Sequence, residues 1–164
     1  MTLLLSTLST PIGNLNLIAD EHILLAANLS NLKALKESLS QEDSERDVKN
    51  VSRIPIITDL ISDYFDGDIA ALHAISVRQP GAHFSQEAWK AMKKVKAGKV
   101  ISYGELAERA GSPAAVRAAG SACAKNAIVL IVPCHRIVKT GGALGNYAYG
   151  LDKKAWLLRH EGAL

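Results

Sequence analysis

Cysteine is scarce: the 164 residues contain two, Cys123 and Cys134. Two are too few for a disulfide scaffold, and no CxxC or Cys/His pair has metal-ligand spacing, so free thiols in a reducing compartment are expected. Long apolar runs are missing as well. Nowhere do eighteen apolar residues follow one another, which excludes a helical membrane span. The opening stretch MTLLLSTLSTPIG has no basic run, no long apolar core and no small-residue cleavage site, so a cytoplasmic, unprocessed chain is expected. Internal repeats and low-complexity tracts are also lacking.

What is present is an ordinary globular composition, 48% hydrophobic, enough to bury one large core or two small ones. The net charge of +3 hides a division. Residues 1–76 carry five Lys and Arg against eleven Asp and Glu, a net −6, whereas residues 77–164 carry fourteen against five, a net +9. A strongly basic half suits a polyanion, because Lys and Arg that neutralise phosphates release condensed counterions. A solvated basic face has the same composition, and charge alone does not choose between them.

The acidic half reads as a supporting α+β domain, residues 1–77. Thr10-Pro11-Ile12-Gly13 is turn-like, and Leu15 and Leu17 followed by Ile23-Leu24-Leu25 predict a hairpin. Asn31 is placed to cap a short helix bearing Leu32, Leu35 and Leu39, and the charged run 41–50 predicts a loop. Pro55 precedes a helix with Ile57, Leu60, Ile61, Tyr64 and Phe65 on its apolar side, ended by Gly67. Ala71 to Val77 predicts a last strand. Nothing in this half assembles a chemical site.

Residues 78–82 predict a linker into a second domain, residues 78–164. Ser85 is expected to cap a helix reaching Ala97, with Trp89, Met92 and Val95 inward. Ser102 can cap a helix from Tyr103 to Ala110, and a second helix is expected from about Pro113 to Lys125. Two short helices about a Gly-containing turn have the outline of a helix-turn-helix, which an ordinary helical hairpin shares. The second helix is unusually bare: Ala118, Ala119, Gly120 and Ser121 leave Arg117 as almost the only long side chain before Lys125. Such a helix can press against a neighbouring helix or against a duplex, and in the duplex Arg117 finds a phosphate or the gap left by an unstacked base.

Ile128 to Val132 is an unbroken branched apolar run and predicts a buried strand leading into Pro133-Cys134-His135-Arg136. A nucleophilic cysteine needs a positive or basic group in reach, and His135 and Arg136 are the nearest in sequence, although adjacency alone does not bring side chains together. A flexible loop follows at Gly141 to Tyr147, and then a helix from Leu151 to His160 ending at Glu161. A carboxylate there opposes the helix dipole, which favours a basic partner such as histidine.

The segments Ile131-Val132-Pro133-Cys134-His135-Arg136-Ile137, Gly145-Asn146-Tyr147 and Trp156-Leu157-Leu158-Arg159-His160-Glu161-Gly162 together resemble the O6-alkylguanine-DNA alkyltransferase family. Ser102-Tyr103-Gly104-Glu105-Leu106-Ala107, the Arg117 helix and Asn126 extend the likeness over residues 84–164. It is looser over residues 7–77. The resemblance implies an α+β fold: a small ribonuclease-H-like domain, then a mainly helical helix-turn-helix or winged-helix-like domain. It implies DNA repair by direct reversal, in which a flipped O6-alkylguanine gives its alkyl group irreversibly to Cys134. His135 would activate the thiol through a water, Glu161 would orient the imidazole, and Tyr103 would donate to N3 of the departing base. Asn126 would tie the active-site segment to the helices. Arg117, Ala118, Ala119, Gly120, Ser121, Lys125 and Arg136 would contact DNA from the minor groove. Val132, Gly145, Asn146, Tyr147, Ala148 and Tyr149 would wall the base pocket. No cofactor is implied, the protein would act as a monomer on double-stranded DNA, and no membrane is involved. Some relatives hold a structural zinc, but residues 1–76 have no Cys and only His22 and His73, so no metal is expected. Two positions depart from the family pattern: Ala127 follows Asn126 where Pro is common, and Tyr149 replaces a frequent Gly, which is expected to disfavour bulky adducts. A non-catalytic alkyltransferase-like lesion binder is the main alternative, and members of that group carry Trp where this chain has Cys134. A methylation-sensing regulator would require a further domain, and a cysteine hydrolase would turn over repeatedly.

Overall fold

A computed structural model describes residues 2–164, in two compact units. The first takes in residues up to Pro80 together with Ala127–Ile131; the second takes in Gly81–Asn126 and Val132–Leu164. The architecture is mixed, a sheet-based first unit and a mainly helical second one. Among the described residues no helix is long and apolar enough to cross a membrane.

The first unit is built on a five-stranded sheet of order β4-β1-β2-β3-β5. Strands β1 (Leu3–Thr10), β2 (Gly13–Asp20) and β3 (Ile23–Asn28) form an antiparallel meander. Short strands β4 (Val48–Asn50) and β5 (Ser76–Val77) add in parallel at the edges. Thr10 closes the first hairpin by donating its hydroxyl to the Gly13 carbonyl at 2.6 Å, and Gly13 takes the positive φ of 112° that this turn needs. The run of five buried residues in β2, from Leu15 to Ala19, shows that the sheet is covered on both faces, since successive side chains point to opposite sides. Leu3, Leu5, Ile18, Leu25 and Ala26 share one cluster with Leu35 of α1 (Leu32–Glu37), and Asn31 caps that helix as expected, accepting from the Ala34 amide at 2.8 Å.

Several expectations for this unit are corrected. The region 41–50 is not a loop: it folds into α2 (Gln41–Ser44), capped by Ser40, and then β4. Two of its charges are held within the unit: Arg46 forks onto Asp20 at 2.9 and 3.1 Å and also meets Asp43 at 3.1 Å. Residues 71–77 are a 3₁₀ turn followed by the two-residue β5, not one strand. Helix α3 (Ile57–Phe65) starts after Ile56, whose φ of 70° is strained for a β-branched residue. The supposed linker is anchored: Arg78 binds Asp43 at 2.9 Å, and buried Gln79 accepts from the Ala127 amide at 2.8 Å. Ile128 to Val132 is not a strand; only Ile128 bridges, to Ala27, after which the chain turns. Leu130 sits at φ 76°, with Ile131 donating to the Val129 carbonyl at 2.9 Å, a tight and strained γ-turn that no strand could contain.

In the second unit α4 (His83–Lys93) precedes a two-stranded parallel sheet of β6 (Ile101–Ser102) and β7 (Ile137–Val138). Helices α5 (Tyr103–Arg109), α6 (Val116–Ala124) and α7 (Leu151–His160) complete it. Helix α4 begins two residues before Ser85 and stops at Lys94, so Ser85 is not its cap. Helix α6 begins at Val116, later than expected from Pro113. Trp89 of α4 donates its indole N–H to the Ala122 carbonyl of α6 at 2.9 Å, which fixes the two helices together. Ser102 caps α5 by accepting from the Glu105 amide at 3.0 Å.

Candidate active site

Cys134 opens a single 3₁₀ turn, Cys134–Arg136, between Pro133 and β7. Pro133 at φ −84°, ψ 68° makes an inverse γ-turn in which the Cys134 amide donates to the Val132 carbonyl at 2.8 Å. Asn126 fastens this turn from outside: its Nδ2 donates to the Val132 carbonyl at 2.8 Å and to Cys134 Sγ at 3.5 Å. The thiol is therefore held by turn geometry and one amide, not by a strand.

Behind it lies a closed polar cluster. His135 Nε2 and Glu161 Oε2 are 2.8 Å apart, and Arg136 binds the same carboxylate through Nε at 2.9 Å and Nη2 at 3.0 Å. Arg136 Nη1 donates to the Val95 carbonyl at 2.7 Å. Burial alone would raise the Glu161 carboxyl, but the His135 and Arg136 hydrogen bonds and charges outweigh it and hold the group well below the usual carboxylate range. Burial pushes the His135 imidazole down, against the pull of Glu161. A neutral imidazole facing an ionised carboxylate must carry its proton on Nε2, which leaves Nδ1 as a free acceptor; Nδ1 is buried and meets no hydrogen-bond partner among the described residues. Burial also pushes the Cys134 thiol up, opposed by the Asn126 hydrogen bond and the Lys154 charge, so the resting group is a thiol that needs a base.

In front of Cys134 opens a cavity of about 710 Å³, the size of a small-ligand site. Of the residues singled out in the sequence, Tyr103, Arg117, Gly120, Ser121, Asn146, Tyr147 and Ala148 line it together with Cys134. Burial and the nearby thiol charges raise the Tyr103 phenol, which stays a donor at neutral pH. Gly145, at φ 76°, lets the loop approach that ring: a Cβ there would lie 2.9 Å from the Tyr103 hydroxyl.

Other expected residues fall elsewhere. Arg136, expected on DNA, is buried and committed to Glu161 and Val95, so it is not a surface contact. Ala119 is fully buried and faces inward, as the helical period requires when Arg117 and Ser121 face out. Val132 does not line the cavity; it contributes its carbonyl to Asn126. Tyr149 stands outside the lining and packs edge-on against Tyr147, a lining residue, at 5.8 Å between ring centres. Ala118 and Lys125 are exposed but outside the cavity lining.

Sequence reasoning missed Val116, Cys123 and Ala124, which also line the cavity. Their spacing from Gly120 and Arg117 on α6 is the signal that would have found them, since i, i+4 and i+7 share a helix face. It also missed Lys154, whose Nζ donates to the Ile137 and Asn146 carbonyls at 2.6 and 3.1 Å; a lysine on an amphipathic helix gives no sign of being buried.

A buried thiol on a pocket floor, backed by a His–Glu–Arg cluster and faced by a bare helix bearing an arginine, defines a cysteine-nucleophile protein with a surface for a polyanion. Residues 83–163 match the family described as 6-O-methylguanine DNA methyltransferase, DNA binding domain. Over the whole chain, the methylated-DNA–protein-cysteine methyltransferase of Salmonella typhimurium is 35% identical across 170 residues, covering 100% of this chain and 98% of that one. The O6-methylguanine methyltransferase structure from Mycobacterium tuberculosis superposes with a TM-score of 0.80 at 29% identity, covering 99% and 94% of the two chains. The OGT of the same organism, solved in complex with DNA, gives a TM-score of 0.82 at 30% identity, covering 98% and 93%. The chain belongs to the methylated-DNA–protein-cysteine methyltransferase family, whose members are DNA-repair enzymes of direct reversal.

Proposed function

We propose that Cys134 is the residue that accepts the methyl group, from an O6-methylguanine flipped out of double-stranded DNA into the cavity above it. The observation that carries this reading is the placement of the thiol: it lines the cavity with Tyr103 and Arg117, while His135, Glu161 and Arg136 stand outside the lining. The thiol passes its proton through a bridging water to His135 Nδ1, the one ring nitrogen free to accept it. Sulfur attacks the methyl carbon, a carbon–sulfur bond forms, and the carbon–oxygen bond breaks with its electron pair passing to guanine O6. Tyr103 meets the charge spreading over the departing ring by donating toward N3. Glu161 stabilises the imidazolium and is itself kept ionised by Arg136. The thioether that remains has no hydrolytic route among these residues, so each molecule acts once.

Arg117 fills the stack vacated by the base, and the small residues Ala118, Gly120 and Ser121, with Lys125 at the helix end, rest in the minor groove, where only a thin helix fits. The α5–α6 pair fits a helix-turn-helix within a winged-helix-like domain spanning about 78–164, and the meander with parallel edges fits a ribonuclease-H-like support over 1–77. The protein works as a monomer on DNA in the cytoplasm.

Intact mass after mixing the protein with a duplex carrying one O6-methylguanine tests the central step. The expected result is a stoichiometric gain of one methyl, absent from Cys134→Ser. Tight lesion binding without any gain would instead make this a lesion-binding protein.

A further inference from the structure

Lys154 of α7 is 0% exposed, although lysine is almost never fully buried without compensation. Its two hydrogen bonds go to neutral carbonyls, Ile137 on β7 and Asn146 in the pocket loop. Among the described residues no carboxylate lies within ion-pair distance of it. Its Nζ stands 5.9 Å from the Tyr103 ring centre, at the outer limit of a cation–π contact. The titratable groups around it are Tyr103 of α5, Cys123 of α6, and Cys134 and His135 of the 3₁₀ turn. Burial drives the Lys154 ammonium down from its ordinary range, and the two thiols act against that fall.

An uncompensated buried cation is costly to keep unless an anion is made beside it. Of its neighbours, Cys123 is held up at about 12, and Tyr103 must stay protonated to donate. The anion that forms during reaction is at Cys134. We propose that Lys154 is a positioning residue whose buried ammonium, fixed by the Ile137 and Asn146 carbonyls, supplies the positive charge that favours the Cys134 thiolate. This rests on the reading of Cys134 as the methyl acceptor. Two carbonyl bonds hold the charge without neutralising it, so its field is still available to the sulfur.

Two variants separate charge from tethering. Lys154→Gln keeps a donor for the carbonyls and loses the charge; Lys154→Met loses both. Single-turnover methyl transfer from an O6-methylguanine duplex and DNA-free alkylation of Cys134 by iodoacetamide are followed from neutral to alkaline pH. Both variants are expected to move the rising limb to higher pH and to react about ten-fold more slowly at neutral pH, the loss that one unit of thiol displacement produces. An unmoved limb in Lys154→Gln, or a loss of the same factor at every pH, overturns the proposal. If Lys154→Met fails to fold, the unmutated chain supplies a second reading. With lysine labelled in ¹⁵N, alkylation of Cys134 must lower the pH at which Nζ loses its proton, because coupling between two sites is reciprocal; an unchanged titration overturns the proposal too. Stoichiometric methylation of Lys154→Gln at long times keeps the acceptor reading intact, whereas failure of the unmutated chain to gain a methyl removes that reading itself.

Discussion

Cys134 is 8% exposed and His135 and Glu161 lie deeper still, so the reactivity of the thiol is set by the groups packed around it and not by bulk solvent. Both His135 and Glu161 have folded values below their ordinary ones of 6.5 and 4.5, which fixes the sign of the pH response. The folded state binds protons less readily than the unfolded chain, so the stability from these groups is complete above pH 6.5 and is lost as the pH falls, first through His135 and then through Glu161. Melting temperature followed downward from neutral pH is expected to decline early for this chain. His135→Phe, whose ring carries no titrating group, is expected to remove the first part of that decline. Glu161→Gln leaves Arg136 buried beside a neutral amide and is expected to lower stability by about 3 kcal/mol, measured by denaturant unfolding at neutral pH. Gly145→Ala is expected to slow methyl transfer without unfolding the protein, because the added carbon displaces the Tyr103 hydroxyl that it would approach to 2.9 Å.

At the scale of elements, the turn from Asn126 to Arg136 does what a strand was expected to do. Asn126→Ala removes the hydrogen bonds to Val132 and Cys134 and is expected to destabilise by about 1–2 kcal/mol while slowing transfer more than that loss implies, since it frees the nucleophile. Single-turnover kinetics beside unfolding curves distinguish the two effects. Helix α6 was legible as a bare helix from its alanines, but which residues face the cavity depends on its start, and that start shifted from Pro113 to Val116. Tyr149 packs edge-on against Tyr147, and its substitution by Gly is expected to raise the rate with benzyl-sized adducts relative to methyl, measured by competition between the two substrates.

At the scale of the whole molecule, the excess of basic residues belongs to the half that carries Arg117 and the cavity. DNA affinity measured against salt is expected to fall with a log–log slope of several units, and Arg117→Ala is expected to reduce methyl transfer by a larger factor than it reduces DNA affinity. The first unit carries its own ion-pair network, Asp20, Asp43, Arg46 and Arg78, of which only Asp43 is buried, and none of the four lines the cavity.

The sequence alone determined the chemistry. Cys134, His135, Tyr103, Asn126, Arg117 and Glu161 come into view through the family resemblance carried by the PCHR stretch and its flanking segments; residue type and spacing alone leave open whether Cys134 and His135 face each other. Helices α1, α5 and α7 were legible directly, each with its cap or its apolar period in view. Tertiary structure alone decided what distance in the chain conceals. Arg136 turns inward to Glu161 across 25 residues, Lys154 is buried under the pocket, and the apolar run at 128–132 folds into turns instead of a strand. An apolar run reports only that a segment is buried; its backbone conformation follows from the hydrogen bonds that surrounding elements offer, and at 128–132 those come from Ala27, Val129 and Asn126.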